Sequence, residues 1–274
     1  MKRNMMIVLA AVFAAIFLFS GMMLWQDYRD QEASAEVFDN VANLIVEETQ
    51  PAPEPSAEDA ETQPAEPTEP AAEMTAYEKY AAVYAQNNDF VGWLCIEGTN
   101  INYPVMQTPE EPNYYLKRAF DHSYSDYGVP YVQENCALGI SDNIVIYGHN
   151  MSNGSMFADL CRYEKKSFWQ EHPIIHFDTL SGYGEYEIVT VFKTVAYSQE
   201  GFKYYHFVDA ESEADFDAFL AQCRELELYD TGVDAEYGDS LITLSTCEYS
   251  RKNGRMVIVA KKIVPPAAEV DGDA

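Results

Sequence analysis

Basic residues are scarce. The 274-residue chain carries 17 Lys and Arg against 45 Asp and Glu, a formal net charge of −28. A chain this anionic repels phosphate backbones, which excludes nucleic acid as a partner. Cysteine is also sparse: there are five, at positions 95, 136, 161, 223 and 247, and none forms a CxxC pair. That spacing argues against a zinc or thioredoxin-like site and outlines no disulfide framework. No metal-ligand cluster is visible, so no cofactor is expected. No internal repeat is present. Between residues 47 and 73 there is no Lys or Arg; Pro, Ala, Glu and Thr dominate. Such a composition cannot bury a core and predicts an extended, solvated tether.

Long apolar runs number one. Residues 5–25 form 21 uncharged, apolar positions, enough to cross about 30 Å of hydrocarbon as a helix. Lys2 and Arg3 precede the run, and Trp25 and Tyr28 stand where an interfacial aromatic belt belongs. These marks place the N-terminus in the cytoplasm and the rest of the chain outside. A cleaved signal peptide is the competing reading, with Ala33-Ser34-Ala35 as its small-residue site. The length of the run favours an uncleaved anchor. The expected organisation is a cytoplasmic N-terminus and anchor over 1–28, then a juxtamembrane segment and acidic linker over 29–75. A folded domain follows over 76–264, with a disordered tail over 265–274. Within the juxtamembrane part, residues 31–46 have the spacing of an amphipathic helix, with Val37, Val41, Leu44 and Ile45 along one stripe.

The folded domain opens with a predicted helix over 75–86, where Thr75 can cap and Glu78 stands three residues on. Short strand-like runs then succeed one another at 91–96, 101–106, 129–132, 143–149, 174–180, 185–196, 241–247 and 256–264, separated by Gly, Pro, Asn and Asp. Eight strands with modest connections predict a mainly β domain closed into an eight-stranded barrel. Helical inserts are expected at 155–171 and 212–228, the second a long helix between strands six and seven. That helix has Ser212 as its cap and Phe216, Phe219, Leu220 and Cys223 at core spacing.

The stretch that organises the domain is Ser240-Leu241-Ile242-Thr243-Leu244-Ser245-Thr246-Cys247, a buried strand delivering a thiol at its end. After a short loop comes Arg255-Met256-Val257-Ile258-Val259-Ala260-Lys261, a second strand. Paired as an antiparallel hairpin, the two put Cys247 and Arg255 on one face about 5 Å apart at the backbone. A guanidinium beside a thiol favours the thiolate, which is the nucleophilic form. A strand cysteine is more often an inert small hydrophobe than a nucleophile, and the pairing with Arg255 is what shifts the balance. Arg251, four residues after Cys247, competes for the cationic role from a more mobile loop. Cysteine nucleophiles need a proton partner. His149 ends the strand Asn143-Ile144-Val145-Ile146-Tyr147-Gly148-His149, at a natural cleft mouth. His176 falls inside a strand, His172 before Pro173, and His122 and His206 in polar, aromatic stretches. Position alone favours His149 without excluding the others.

Thr243-Leu244-Ser245-Thr246-Cys247 resembles the TLxTC signature of the sortases, the cysteine transpeptidases of Gram-positive surfaces. Tyr147-Gly148-His149-Asn150 is similar to the family's histidine motif, and Arg255 opens the strand that carries its arginine. Ser245 within the cysteine motif resembles class B, as do the run Asn150-Met151 … Gly154-Ser155-Met156-Phe157 and the long helix before the cysteine strand. The resemblance covers roughly residues 76–264. It implies a barrel fold and His149, Cys247 and Arg255 as catalytic residues. Ser245 is implied as a substrate contact, and Leu116 as lining for the sorting-signal groove. It implies as partners surface proteins bearing a C-terminal sorting motif, and as acceptor an amine of a cell-wall precursor or of a pilin. A secreted cysteine peptidase and a non-enzymatic surface-binding domain remain the alternatives.

Overall fold

The computed structural model describes residues 2–46, 74–197 and 201–264. The predicted acidic tether over 47–73 and the tail over 265–274 lie outside the described residues. Eight strands close into a barrel: β1 Phe90–Cys95, β2 Asn102–Met106, β3 Tyr131–Val132, β4 Asn143–Tyr147, β5 Ile174–Thr179, β6 Glu185–Val195, β7 Leu241–Glu248 and β8 Gly254–Lys262. They run round the barrel in the order β1-β2-β3-β4-β7-β8-β6-β5. Closure removes the exposed strand edges that an open sheet would present. Most neighbours are antiparallel, but β2 with β3 and β4 with β7 run parallel, the second pair with Asn143 opposite Leu241 and Tyr147 opposite Ser245. β7 and β8 form the predicted hairpin.

The helices follow the sequence signals with two differences. α1 spans Lys2–Ala42 and α2 spans Ala76–Gln86. Thr75 and Glu78 form a reciprocal capping box at the start of α2. After α3 at Lys166–Glu171, α4 spans Glu213–Leu226. The Ser212 hydroxyl accepts from the Asp215 amide at its start, and Phe216, Phe219 and Cys223 are buried. The predicted single helix over 155–171 is instead broken. Met156 takes a positive φ of 58°. A 3-10 segment, Ala158–Glu164, precedes the six-residue α3. Two hydrogen bonds from the segment's start into the barrel explain the break: Met156 N–H to the Tyr103 hydroxyl at 3.0 Å and Phe157 N–H to the His149 carbonyl at 2.8 Å. The second difference lies in α1. The amphipathic stretch expected as its own element continues the apolar helix without a break to Ala42.

The main core fills the barrel and extends under α4, joining Leu94, Ile144, Ile188, Phe192, Ile242 and Ile258 among others. A second apolar cluster on the barrel's flank holds Tyr80, Val83, Phe90, Trp93 and Tyr115, and Val41 of α1 completes it. α2 is pinned there by the Tyr80 hydroxyl, which donates to Asp178 on β5 at 2.7 Å. Tyr80→Phe removes a buried bond to a charged acceptor. It should cost about 1.5 kcal/mol and lower the melting temperature of the domain by about 3–6 °C, read by circular dichroism.

Candidate active site

The parallel register of β4 and β7 builds the site. Beyond the last ladder pair the two chains stay joined. Gly148 N–H donates to the Ser245 carbonyl at 3.2 Å, and the Thr246 hydroxyl donates to the Gly148 carbonyl at 2.8 Å. Residues two apart on a strand share a face. Tyr147 and His149 therefore leave β4 on the same side as Ser245 and Cys247 leave β7. His149 lies two residues past the end of β4, abreast of Cys247. Across the hairpin, Cys247 is the direct partner of Arg255. The three side chains named from the sequence thus converge on one rim, where they line a single cleft of about 890 Å³.

Leu116 and Ser245 line the same cleft. Leu116 contributes its carbonyl as well as its side chain: His149 Nε2–H donates to that oxygen at 2.7 Å, which fixes the ring. Ser245 is 1% exposed, and its hydroxyl pairs with the Tyr204 hydroxyl at 2.6 Å. Of the other histidines, His206 also lines the cleft. His172 is tied to the Glu97 carbonyl, His176 lies between Glu97 and Glu185, and His122 contacts Tyr114 and Tyr115. Arg251 sits in the exposed turn, and Arg255 is the arginine that lines the cleft.

Several residues of the site gave no separate signal in the sequence. Asn150 Nδ2 donates to the Cys247 carbonyl at 2.8 Å and to Cys161 Sγ at 3.3 Å, locking the loop after His149 to the end of β7. Gly148 is required for close approach, because a Cβ there would fall 2.5 Å from the Phe157 ring. The Arg255 guanidinium lies 5.8 Å from the Tyr197 ring centre. Tyr131, Tyr147 and Tyr204 form much of the wall. Burial raises all three phenols, that of Tyr204 to about 12, so they stay protonated near neutral pH. Their hydroxyls are therefore neutral donors and acceptors suited to peptide groups. Burial likewise pushes the Cys161 thiol up to about 11, so this neighbour is no competing nucleophile near neutral pH.

The hairpin turn is braced from its other face. Glu248 follows Cys247 and points away from the cleft, where its carboxylate accepts from the Ser250 amide at 2.8 Å and the Ser250 hydroxyl at 2.7 Å. Lys193 of β6 lies 3.6 Å from it and 2.9 Å from Glu164. Burial works against ionisation of Glu248, but the Ser250 bonds and Lys193 outweigh it and hold the carboxyl below its ordinary value of 4.5. A depressed carboxyl stabilises the fold above its unfolded pKa and loses that contribution as pH falls through the folded value. The melting-temperature gap between the native chain and Glu248→Gln should therefore be widest near neutrality. It should close below about pH 4.5. A gap independent of pH would contradict this role.

The family model described as the sortase domain matches residues 94–263. Sortase B of Staphylococcus aureus (strain NCTC 8325 / PS 47) is 32% identical over 180 residues, which is 65% of this chain and 71% of that protein. Sortase B of Listeria monocytogenes serovar 1/2a (strain ATCC BAA-679 / EGD-e) is 35% identical over 181 residues, with the same coverage of 65% and 71%. Among solved structures, a Staphylococcus aureus sortase B–substrate complex superposes with a TM-score of 0.62 at 31% identity, over 68% of this chain and 84% of that one. Sortase B from B. anthracis in complex with AAEK1 gives a TM-score of 0.68 at 25% identity, over 87% of this chain and all of that one, 100%. With a closed eight-stranded barrel, a matching domain and these relatives, the chain belongs to the sortase family, in its class B, and is a cysteine transpeptidase.

Proposed function

We propose that this cell-wall sorting transpeptidase works through Cys247 as nucleophile, His149 as proton carrier and Arg255 as oxyanion donor. The observation that carries the reading is the register itself. Arg255 is paired with Cys247 across the hairpin, while the parallel ladder brings His149 abreast of it in one cleft. A surface protein's C-terminal sorting signal lies along the tyrosine-lined cleft, with Ser245 and Leu116 among its contacts. The Cys247 thiolate attacks the scissile carbonyl carbon, and the carbonyl electrons move onto oxygen. Arg255 donates to that oxyanion; one such donor contributes about 3 kcal/mol in known acyl-transfer sites. Collapse expels the amine, which takes a proton from the His149 imidazolium and leaves a thioester. An incoming amine of a cell-wall precursor or a pilin attacks the thioester and gives its proton to His149, releasing the joined product and the thiolate.

One helix near the N-terminus, Asn4–Ala42, is long and apolar enough to cross a membrane. With Lys2 and Arg3 ahead of it, it serves as an uncleaved single-pass anchor with the N-terminus cytoplasmic and the barrel outside. The sequence reading divides the chain into an anchor over 1–28, a linker over 29–75 and a catalytic domain over 76–264; the end of α1 and the turn after it, within that linker, pack on the domain. α1 runs unbroken across the first boundary.

The test is a transamidation assay of the full chain with sorting-signal peptides and an added primary amine. Product carrying the amine, formed with ping-pong kinetics, supports the transpeptidase reading; release of free acid alone supports a peptidase. Cys247→Ala should form no thioester, and retained turnover there would remove the mechanism. Arg255→Ala should lower kcat about 10²–10³-fold.

A further inference from the structure

We propose that Glu134 makes this enzyme prefer a sorting signal with a cationic side chain, lysine or arginine, about four residues before the scissile bond. The inference rests on the transpeptidase reading above and adds the chemical class of its substrate. The cleft runs on well beyond Cys247. Its lining includes Gln133, Glu134, Asn135, Tyr205 and His206. The antiparallel pairing of β3 with β4 sets how far away they stand. Tyr131 is opposite Tyr147, and two residues on, Gln133 N–H donates to the Val145 carbonyl at 2.9 Å. Val145 precedes His149 by four residues, about 13 Å at the rise of a strand. An extended peptide with its reacting carbonyl at Cys247 covers that distance in about four residues.

Gln133 fixes this far end of the cleft. It is 7% exposed. Its Nε2 donates to the Tyr205 carbonyl at 2.9 Å and to Asn135 Oδ1, and its Oε1 accepts from the Tyr147 hydroxyl. Gln107 Nε2 donates to the Gln133 carbonyl at 3.1 Å and to the Cys136 carbonyl at 2.7 Å, which ties both ends of the turn that carries Glu134.

Other polar groups of the wall are occupied by one another. Tyr131 donates to Asn113, Ser245 pairs with Tyr204, and His149 donates to the Leu116 carbonyl. Glu134 differs. It is exposed, and among the described residues it has no ion pair and no side-chain hydrogen bond. Among the described residues it is also the one carboxylate lining the cleft, and no lysine lines it. Glu248, next to the nucleophile, is by contrast tied to Ser250 and Lys193. Arg255 is held beside Cys247 by the hairpin, and His206 shares the far end with its ring centre 4.8 Å from that of Tyr205. A carboxylate with no partner, in a wall of neutral phenols, complements a cation that the ligand brings. The ligand's acyl half is the half in question. It stays on Cys247 as the thioester while the amines exchange, and His149, which serves both amines, lies past the end of β4 at the rim.

The experiment uses the full chain, one fixed primary amine and the peptide turned over best in the transamidation assay. Variants of that peptide carry Lys, Gln or Glu, one position at a time, on both sides of the scissile bond. At one position, about four before the bond, Lys should exceed Glu by about 5-fold in kcat/KM, the scale of an exposed ion pair. The difference should lie in KM and shrink as salt is raised. The Lys preference should vanish in Glu134→Gln and reverse in favour of Glu in Glu134→Lys. No Lys preference before the bond, or one that survives in Glu134→Lys, overturns the inference. A preference confined to positions after the bond also overturns it, because the leaving half would then be the one recognised. In all these cases aminated product still upholds the transpeptidase reading. Absence of a thioester with every peptide overturns that reading, and this inference with it. Should Glu134→Lys fail to fold by circular dichroism, the loss or survival of the Lys preference in Glu134→Gln decides.

Discussion

The parallel pairing of β4 with β7 is the constraint on which the site depends. Two parallel strands end at the same rim, so whatever leaves their C-terminal ends emerges side by side. Had these neighbours been antiparallel, the ends of β4 and β7 would stand roughly a strand length apart, about 17 Å for five residues. Parallel neighbours cannot be joined by a tight turn. The chain accordingly spends the whole stretch from His149 to Ser240, including β5, β6 and α4, between the two strands that carry the histidine and the cysteine. The arginine then arrives by the shortest route available, a hairpin, which needs no further scaffold.

Strand alternation divides the work around that rim. Tyr147 on β4, His149 two residues past its end, and Ser245 and Cys247 on β7 share one side at the cleft. The residues between and after them brace it. Thr246 bonds to the Gly148 carbonyl, Gly148 lets the Phe157 ring close against the strand end, and Glu248 ties the turn to Ser250 and Lys193. Each brace is polar and partnered, as buried polar groups must be. The cleft face carries neutral phenols, the Cys247 thiol, the imidazoles of His149 and His206 and the Arg255 guanidinium, with Glu134 also in its lining.

Much of this was legible in the chain because the signals were local and periodic. The eight strands are recognisable from β-branched runs between turn residues, and each lies within about two residues of its expected bounds. The α2 capping box and the Ser212 cap of α4 behave as their sequences predict. The cysteine–arginine pairing follows from hairpin geometry alone. What escaped was set by contacts far apart in sequence. The segment 155–171 has helical composition, yet Tyr103 and His149 take its first amides and break it. The roles of Asn150 and Tyr204 depend on partners 97 and 41 residues away. His149 was singled out by its place at a strand end, but the parallel register that sets it beside Cys247 is a property of barrel closure, which no short window contains.

The same reasoning applies to the division between anchor and domain. Composition separates an apolar run from a folded barrel, and the acidic stretch between them reads as a spacer. Packing joins what composition separates. The flanking cluster formed by Tyr80, Phe90, Trp93 and Tyr115 is completed by Val41, with Val37, Phe38, Leu44 and Ile45 against it, all from the end of α1 or the turn beyond. Full burial of one such aliphatic side chain is worth about 1.5–3 kcal/mol. A domain cut at residue 75 would therefore expose an apolar flank and lose stabilisation comparable to a sizeable share of a typical folding free energy. How the end of α1 stands against the barrel is set by the side chains between Val37 and Ile45 that pack on its flank. The helix that is long and apolar enough to cross a membrane is thus also part of the wall of the second core.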